Sequence, residues 1–160
     1  MGERRVGIGY DIHRFAAGRT LVLGGVKVPS ELGLLGHSDA DALTHAICDA
    51  LLGAAGLGDI GVYFPDSDER YRGISSLRIL EEVVRLVRGA GYVPINVDAT
   101  VIAERPKLSA HVAEMKEALG RSLGLPPDRV GLKATTNEAL GALGRGEGIA
   151  AMAVCLIGTA

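Results

Sequence analysis

An aspartate and a histidine stand two residues apart near the start of the chain, in the stretch GYDIHRF. Residues 5–13 are apolar and glycine-spaced, which predicts a strand. Because side chains alternate between the two faces of a strand, Asp11 and His13 should project to the same side. Such a pair is compatible with a salt bridge, an acid–base pair or two ligands of a transition metal.

A third candidate ligand, His45, lies in a helix predicted from Ser38 to Ala55. Aliphatic residues recur on one side of this helix at spacings of three and four: Leu43, Ala46, Ile47, Ala50, Leu51 and Ala54. Asp41, His45 and Asp49 fall on the other side, so His45 is expected off the buried stripe. A solvated polar helix face is one interpretation of this pattern. With Asp11 and His13, however, His45 would complete an Asp-His-His set, and catalytic zinc takes three such ligands while one position stays open.

Two polar segments precede and follow this helix. GHSDAD (36–41) places His37 and Ser38 at the predicted helix N-terminus, where backbone N–H groups favour a phosphate. Ser38 and Asp41 would form a capping pair there. The loop 58–68 supplies three aspartates on a glycine- and proline-shaped backbone: Asp59, Asp66 and Asp68. An ordinary cap and a solvated turn are the alternative interpretations.

Two later segments carry charge or hydroxyl groups. KATTNE (133–138) leaves a strand with two hydroxyls and a carboxylate, a set suited to phosphate oxygens and Mg²⁺, or else an ordinary capped strand end. GRGEGIAA (144–151) places Arg145 and Glu147 between glycines. These two side chains would form an ion pair at a tight turn, or else a charged site at a subunit boundary or an anion pocket.

Composition excludes several classes of protein. The chain has 160 residues, 17 basic and 19 acidic, so it lacks the basic excess of a nucleic-acid-binding protein. No apolar run reaches the roughly 18–20 residues of a membrane span. Cys48 and Cys155 lie far apart in apolar segments and are expected to be buried thiols of a cytoplasmic protein. We expect one domain over residues 1–160.

The remaining pattern predicts the elements that must position these side chains. A hairpin is expected over 20–29, and helices from about Ser76 to Arg88 and Ser109 to Leu123. Residues 92–104, with Val93, Ile95 and Val97 on one face, alternate like a half-buried strand, and two further strands follow at the C-terminal end. The expected fold class is α+β: a single-domain sandwich with a mixed four-stranded sheet, a small hairpin and helices packed on one face.

Four segments together resemble the 2-C-methyl-D-erythritol 2,4-cyclodiphosphate synthase family: GYDIHRF, GLLGHSDADALTHAICDALLGAAGLGDIGVYFPDSD, RPKL and KATTNEALGALGRGEGIA. The resemblance covers essentially the whole chain, in order. It implies that 4-diphosphocytidyl-2-C-methyl-D-erythritol 2-phosphate cyclises with loss of CMP, a lyase reaction of non-mevalonate isoprenoid biosynthesis. It also implies a homotrimer with active sites shared between subunits, and no nucleic-acid or membrane partner.

The resemblance also implies roles for individual residues. Asp11, His13 and His45 match zinc ligands, Glu138 helps to hold Mg²⁺ or Mn²⁺ against the phosphates, and His37 and Thr136 match positions that stabilise the transition state. Matches to the methylerythritol phosphate end of the substrate are Ser38, Asp59, Ile60, Gly61, Phe64, Asp66 and Asp68. Matches to the cytidine diphosphate pocket are Ala103, Pro106, Lys107, Leu108, Ala134 and Thr135. Arg145 and Glu147 match residues near the threefold axis, where members can hold an isoprenoid phosphate. Ala142 and Leu143 depart from the family pattern there, since a Phe often follows the first glycine.

Two other functions use the same residues. A zinc-dependent phosphohydrolase would activate water at the Asp-His-His set, with Asp49 as the candidate base. A non-catalytic trimer that senses a metal or a nucleotide would bind its ligand without turnover.

Overall fold

A five-stranded mixed sheet forms the centre of the computed structural model, which describes residues 2–159. The strands in chain order are β1 (Arg4–Ala16), β2 (Leu21–Leu23), β3 (Val26–Val28), β4 (Gly33–Leu34), β5 (Tyr92–Ile102), β6 (Val130–Thr135) and β7 (Gly148–Thr159). The sheet order is β4-β1-β7-β5-β6, and only the β5–β6 pair is parallel. Strands β2 and β3 form the predicted hairpin as a separate two-stranded sheet.

The sheet has one strand more than the four expected. Residues Gly33–Leu34 pair with Phe15 and Ala16 at the end of β1. A two-residue strand has no room for the alternation that identifies strands in a sequence, so this edge was missed. The α+β class and the mixed sheet are confirmed.

Helices cover one face of the sheet, as predicted. They are α1 (Ala42–Ala55), α2 (Ile60–Tyr63), α3 (Ser76–Gly89), α4 (Val112–Leu123) and α5 (Gly141–Gly144), and three 3₁₀ turns cover Glu69–Tyr71, Ser109–His111 and Pro127–Arg129. Helix α1 packs on β1 and β7, and α3 packs on α1. A Cβ atom on Gly7 would stand 1.9 Å from the carbonyl oxygen of Ala50, so α1 approaches β1 as closely as glycine permits. The three longest helices and the sheet share one apolar core.

Helix α1 begins at Ala42 rather than at Ser38, because Asp41 is the N-cap. The carboxylate of Asp41 accepts hydrogen bonds from the backbone N–H groups of Thr44, Gly24 and Gly25 at 2.8–2.9 Å. Asp41 therefore ties the hairpin turn to the start of α1, with no solvent exposure. The predicted Ser38–Asp41 capping pair is wrong.

The expectation that His45 lies off the buried stripe is also wrong, because its exposure is 6%. Helix α1 is enclosed by β1, by α3 and by the segment that precedes the helix, so nearly every position along it is buried. Helical periodicity shows the face turned to the main core and does not show neighbours that cover the opposite face.

Strand β5 contains an irregularity between Pro94 and Asn96. Tyr92 and Pro94 are buried before it, and Val97, Ala99 and Val101 after it, so the expected burial of Val93 and Ile95 on the same face as Val97 is wrong. An extra residue in one strand reverses the facing of every side chain beyond it.

Cys48 and Cys155 are buried free thiols, as predicted. Burial raises the pKa of Cys155 to about 11, so the group stays neutral near pH 7. Within residues 2–159, none of the helices has the length and apolar character needed to cross a lipid bilayer.

Candidate metal centre and substrate site

Three side chains converge where β1 passes the first turn of α1. Asp11 Oδ2 lies 2.8 Å from His13 Nε2 and 3.1 Å from His45 Nδ1, and the two ring nitrogens are 3.4 Å apart. Ligands held about 2.0–2.1 Å from a tetrahedral zinc ion lie roughly 3.3 Å from one another. The donor set and its spacing therefore fit a divalent metal such as zinc, and the predicted grouping of Asp11, His13 and His45 is confirmed.

The far nitrogen of each histidine ring has its own partner. His13 Nδ1 lies 2.7 Å from the carbonyl oxygen of Leu35, which only accepts, so Nδ1 is a donor and Nε2 is the ring atom that faces Asp11 and the metal position. His45 Nε2 lies 2.8 Å from Ser76 Oγ and 3.3 Å from Ser38 Oγ. Outer contacts of this kind orient metal-binding imidazoles.

The cluster is electrostatically coupled. Burial opposes ionisation of Asp11, but hydrogen bonds from His13 and His45 outweigh it and lower the pKa of Asp11 to about 2. Burial likewise disfavours the charged form of His13. The hydrogen bond to Asp11 and the charge of Asp11 outweigh this effect and raise the pKa of His13, with smaller contributions from the Leu35 carbonyl and the charge of Asp66. Asp11 is therefore a carboxylate ready to bind a cation at neutral pH.

His37 and Ser38 do not lie at a helix N-terminus, so that prediction is wrong. They stand ahead of Asp41, and Ser38 is buried with its hydroxyl between His45 and the N–H of Ala40. His37 Nε2 lies 3.0 Å from the carbonyl oxygen of Asp68, which links this segment to the loop that follows α1.

The loop after α1 is ordered by its own aspartates. Asp59 caps α2 through the N–H of Val62, and Asp49 on α1 accepts from the N–H of Ile60 at 2.8 Å. Asp68 caps the next 3₁₀ turn and forms an ion pair with Arg70. The loop also carries the other candidates Gly61, Phe64 and Asp66, with Phe64 edge-on to Tyr71 at 5.2 Å between ring centroids.

A second group of candidates lies at the opposite edge of the sheet, around the ends of β5 and β6. A cavity of about 230 Å³ is lined there by Ala103, Glu104, Pro106, Lys107, Leu108, Ser109, Ala134, Thr135 and Thr136. Thr136 Oγ1 lies 3.3 Å from Glu138 Oε1, and both side chains are exposed. The predicted cytidine-pocket residues are thus brought together.

Within one chain, the metal ligands and the cavity at the ends of β5 and β6 lie apart. Asp11 is paired across the sheet with Ala151, Ala151 with Val101, and Val101 with Ala134. Three strand steps of about 4.8 Å place Ala134 roughly 14 Å from Asp11. Ala134 and the cavity that it lines therefore lie well away from the metal ligands of the same chain.

Arg145 and Glu147 form an exposed ion pair at 2.7 Å. Ala142, in the short helix α5 before this turn, lines a small cavity beside Ile12 and Arg14, on the sheet face away from α1, α3 and α4.

Asp39 and Ser76 were missed as residues of the metal centre. Ser76 reaches His45 from the start of α3, and Asp39 accepts from the backbone N–H and the hydroxyl of Ser76. Their spacing along the chain carries no ligand signature, so only the packing of α3 on α1 reveals the contact.

Three nitrogen and oxygen ligands, held by a strand and a helix with their outer partners in place, are typical of catalytic metal sites. The fold and the site together define an α+β protein of the metal-dependent enzyme class. Residues 4–158 match the model of the YgbB family, and the chain belongs to that family.

Relatives and solved structures agree with this assignment. A protein from Syntrophobacter fumaroxidans named 2-C-methyl-D-erythritol 2,4-cyclodiphosphate synthase is 59% identical over 153 residues, which cover 96% of each chain. A solved synthase of that name, in a CDP-bound form, superposes with a TM-score of 0.88 at 44% identity and covers 96% of this chain and 99% of its own. The bifunctional IspDF of Campylobacter jejuni gives a TM-score of 0.96 at 39% identity and covers all of this chain, which spans 43% of that protein.

Proposed function

We propose that this protein is a 2-C-methyl-D-erythritol 2,4-cyclodiphosphate synthase. The observation that carries the proposal is the convergence of Asp11, His13 and His45, within 3.4 Å of one another, in a chain whose relatives bear that name. We infer one catalytic domain over residues 1–160, since the family match extends over 4–158.

The reaction is an intramolecular phosphoryl transfer. An oxygen of the 2-phosphate of 4-diphosphocytidyl-2-C-methyl-D-erythritol 2-phosphate attacks the β-phosphorus, and the bond from that phosphorus to CMP breaks. One phosphorus–oxygen bond forms and one breaks, and no water is consumed, so the enzyme is a phosphorus–oxygen lyase. The protein has to bring two anionic groups together in line, which is a problem of positioning and charge.

Asp11, His13 and His45 would hold one zinc ion per active site. Bound zinc would supply a Lewis acid for a diphosphate oxygen. Glu138 is exposed and available to share a second cation, Mg²⁺ or Mn²⁺, with the phosphates. Asp11 and Glu138 would thus each help to hold a different cation, and the two cations would neutralise the charge of the phosphates.

His37 and Thr136 would donate hydrogen bonds to the phosphoryl oxygens as charge builds on them. His37 is held in place through the carbonyl of Asp68, and Thr136 stands at the end of β6. Ser38, ahead of α1, and the loop after α1 would bind the methylerythritol phosphate end, with Asp59 on sugar hydroxyls. The loop residues are Asp59, Ile60, Gly61, Phe64, Asp66 and Asp68. The cavity at Ala103, Pro106, Lys107, Leu108, Ala134 and Thr135 would take the cytidine diphosphate end.

A homotrimer would bring these two halves together. The sheet face without helices exposes a stripe of large apolar side chains, including Ile8 at 65% and its cross-strand partner Val154 at 45%. An exposed apolar patch of this kind is typical of an association surface. Trimerisation would cover this apolar stripe and place the edge cavity of one subunit against the metal centre of the next. Ala142 and Arg145 would then lie near the threefold axis. Binding of an isoprenoid phosphate at the axis stays a prediction. We place the enzyme in the cytoplasm.

Phosphorus NMR of the protein with the cytidylyl methylerythritol 2-phosphate substrate, Zn²⁺ and Mg²⁺ tests the proposal. Equimolar CMP and a coupled pair of cyclic diphosphate signals are expected. Orthophosphate as the product would instead support the phosphohydrolase, and ligand binding without turnover would support a sensor. A parallel sample of Asp11→Asn, which removes one ligand charge at nearly constant shape, should form product far more slowly.

A further inference from the structure

A chain of three side chains runs from the metal centre into the helix layer. His45 Nε2 lies 2.8 Å from Ser76 Oγ, and Ser76 Oγ is in turn hydrogen-bonded to a carboxylate oxygen of Asp39. His45 is buried, and Ser76 has no solvent exposure. The chain therefore extends the site beyond the three ligands to two residues with no metal-binding role of their own.

The direction of each hydrogen bond follows from counting protons. Asp39 accepts from the backbone N–H groups of Ser76 and Asp41 at 2.9 Å and 3.2 Å, so both of its carboxylate oxygens face donors. The single hydroxyl proton of Ser76 must then point to Asp39. Ser76 Oγ is left with lone pairs toward His45, so His45 Nε2 has to be the donor.

We propose that Ser76 and Asp39 are positioning residues of the metal centre, which favour the proton of His45 on Nε2 and so leave Nδ1, 3.1 Å from Asp11 Oδ2, available to the metal. The proposal rests on the zinc site proposed above. It adds that the tautomer of one ligand is set by a buried serine and a carboxylate from two other segments of the chain.

Backbone hydrogen bonds hold the His45–Ser76–Asp39 chain of side chains in place. The N–H of Asp39 donates to the carbonyl of Ile74 at 3.1 Å, and the N–H of Gly73 donates to the carbonyl of His37 at 2.8 Å. These two bonds join the segment before α1 to the segment before α3. Asp39 also places a negative charge at the N-terminus of α3, where it accepts from the first helical N–H. The carboxylate thus fixes Ser76 through both its backbone and its side chain.

Ser38 does not replace Ser76 in this role. Its hydroxyl stands 3.3 Å from His45 Nε2 and also accepts from the N–H of Ala40 at 3.2 Å. It has no carboxylate partner among its hydrogen bonds within residues 2–159. The hydroxyl of Ser38 is therefore free to turn either way, so Ser38 tolerates both tautomers of His45, whereas Ser76 accepts only one.

The test compares Ser76→Ala and Asp39→Asn with Ser75→Ala as the matched control. Ser75 is the exposed neighbouring residue, and its side chain makes no capping hydrogen bond. Zinc dissociation constants are measured at one pH by competition with a chromophoric chelator. We expect a rise of about 10–100-fold for Ser76→Ala, the range typical of lost outer contacts at metal sites. The zinc dissociation constant of Asp39→Asn should also rise, and that of Ser75→Ala should equal that of the parent.

A second readout reports the proton itself. In metal-free protein labelled with ¹⁵N-histidine, the fraction of His45 protonated at Nε2 should be smaller in Ser76→Ala than in the parent, because Asp11, 3.1 Å from Nδ1, then competes for the proton without Ser76. Zinc affinity within about twofold of the parent, with the His45 tautomer unchanged in both folded variants, would overturn the proposal. If Ser76→Ala does not fold, Asp39→Asn decides by the same two criteria. If the parent protein binds no zinc, the zinc site itself is overturned. If every variant binds zinc as tightly as the parent, only the positioning role of Ser76 and Asp39 is overturned.

Discussion

Gly9 lies directly against Ala46, so that a Cβ atom on Gly9 would stand 1.9 Å from the carbonyl oxygen of Ala46. Ala46 follows the metal ligand His45, and Gly9 lies two residues before Asp11 on the same face of β1. The missing side chain at Gly9 therefore sets the distance between the strand and the helix that carry the ligands.

Gly9→Ala should lower the free energy of unfolding by about 3 kcal/mol or more, the upper end of the cost of overpacking a core, because the helix backbone has to move. Zinc affinity should fall as well, since His45 moves with α1. Gly89→Ala is the control, because its Cβ meets no atom within 4 Å and alanine suits a helix. Denaturant unfolding of metal-free protein checks the difference, and equal stability of the two variants would contradict it.

His13→Ala and His45→Ala should both lose zinc but differ in stability. The side chain of His13 is 18% exposed, whereas that of His45 is 8% exposed and contacts two buried hydroxyls, those of Ser76 and Ser38. We expect His45→Ala to lose about 1–3 kcal/mol more of the free energy of unfolding in the metal-free protein. Metal analysis after dialysis and denaturant unfolding check the pair. Stoichiometric zinc in either variant would remove that residue from the site.

Asp49→Asn should change the pH dependence of stability. Burial raises the pKa of Asp49 above its ordinary value of 3.8, so the fold disfavours the ionised form. This cost in the free energy of folding is present in full at pH values above the raised pKa of Asp49 and is absent at pH values below its ordinary pKa. The neutral, nearly isosteric asparagine should therefore be more stable than the parent at pH 7, with an advantage that shrinks as the pH falls.

Unfolding in the presence of a chelator, from pH 7 down to pH 4, measures this difference. Asp49→Ala is the control, since it removes the same charge but also the acceptor for the N–H of Ile60. The free energy of unfolding of Asp49→Ala should vary with pH in the same way as that of Asp49→Asn, but it should be lower at every pH. A difference between parent and Asp49→Asn that does not vary with pH would contradict the prediction.

Ile8→Glu should dissociate the proposed trimer and abolish most turnover. Ile8 lies in the middle of the exposed apolar stripe opposite Val154, where a buried, unpaired carboxylate is strongly disfavoured. Ala113→Glu, an exposed change on α4 in the helix layer, is the control and should remain trimeric and active. Light scattering coupled to gel filtration gives the mass, and a fully active Ile8→Glu monomer would contradict a site shared between subunits.

Local sequence patterns predicted most of the elements, because alternation and helical periodicity are properties of single segments. The pairing of Asp11 with His13 followed from the two-residue repeat of β1, and the hairpin over 20–29 followed from its two central glycines. The ligand types were also visible, since aspartate and histidine are the residues that hold zinc.

Tertiary packing decided what no single segment contains. His45 is buried because α3 and the preceding segment cover the side of α1 that its periodicity leaves polar, and Asp41 is enclosed because the hairpin turn donates to it. Ser76 meets His45 although it lies 31 positions further along the chain. Such contacts depend on how whole elements pack, so the ligands were predictable from the sequence, whereas the groups that orient them were decided only by the fold.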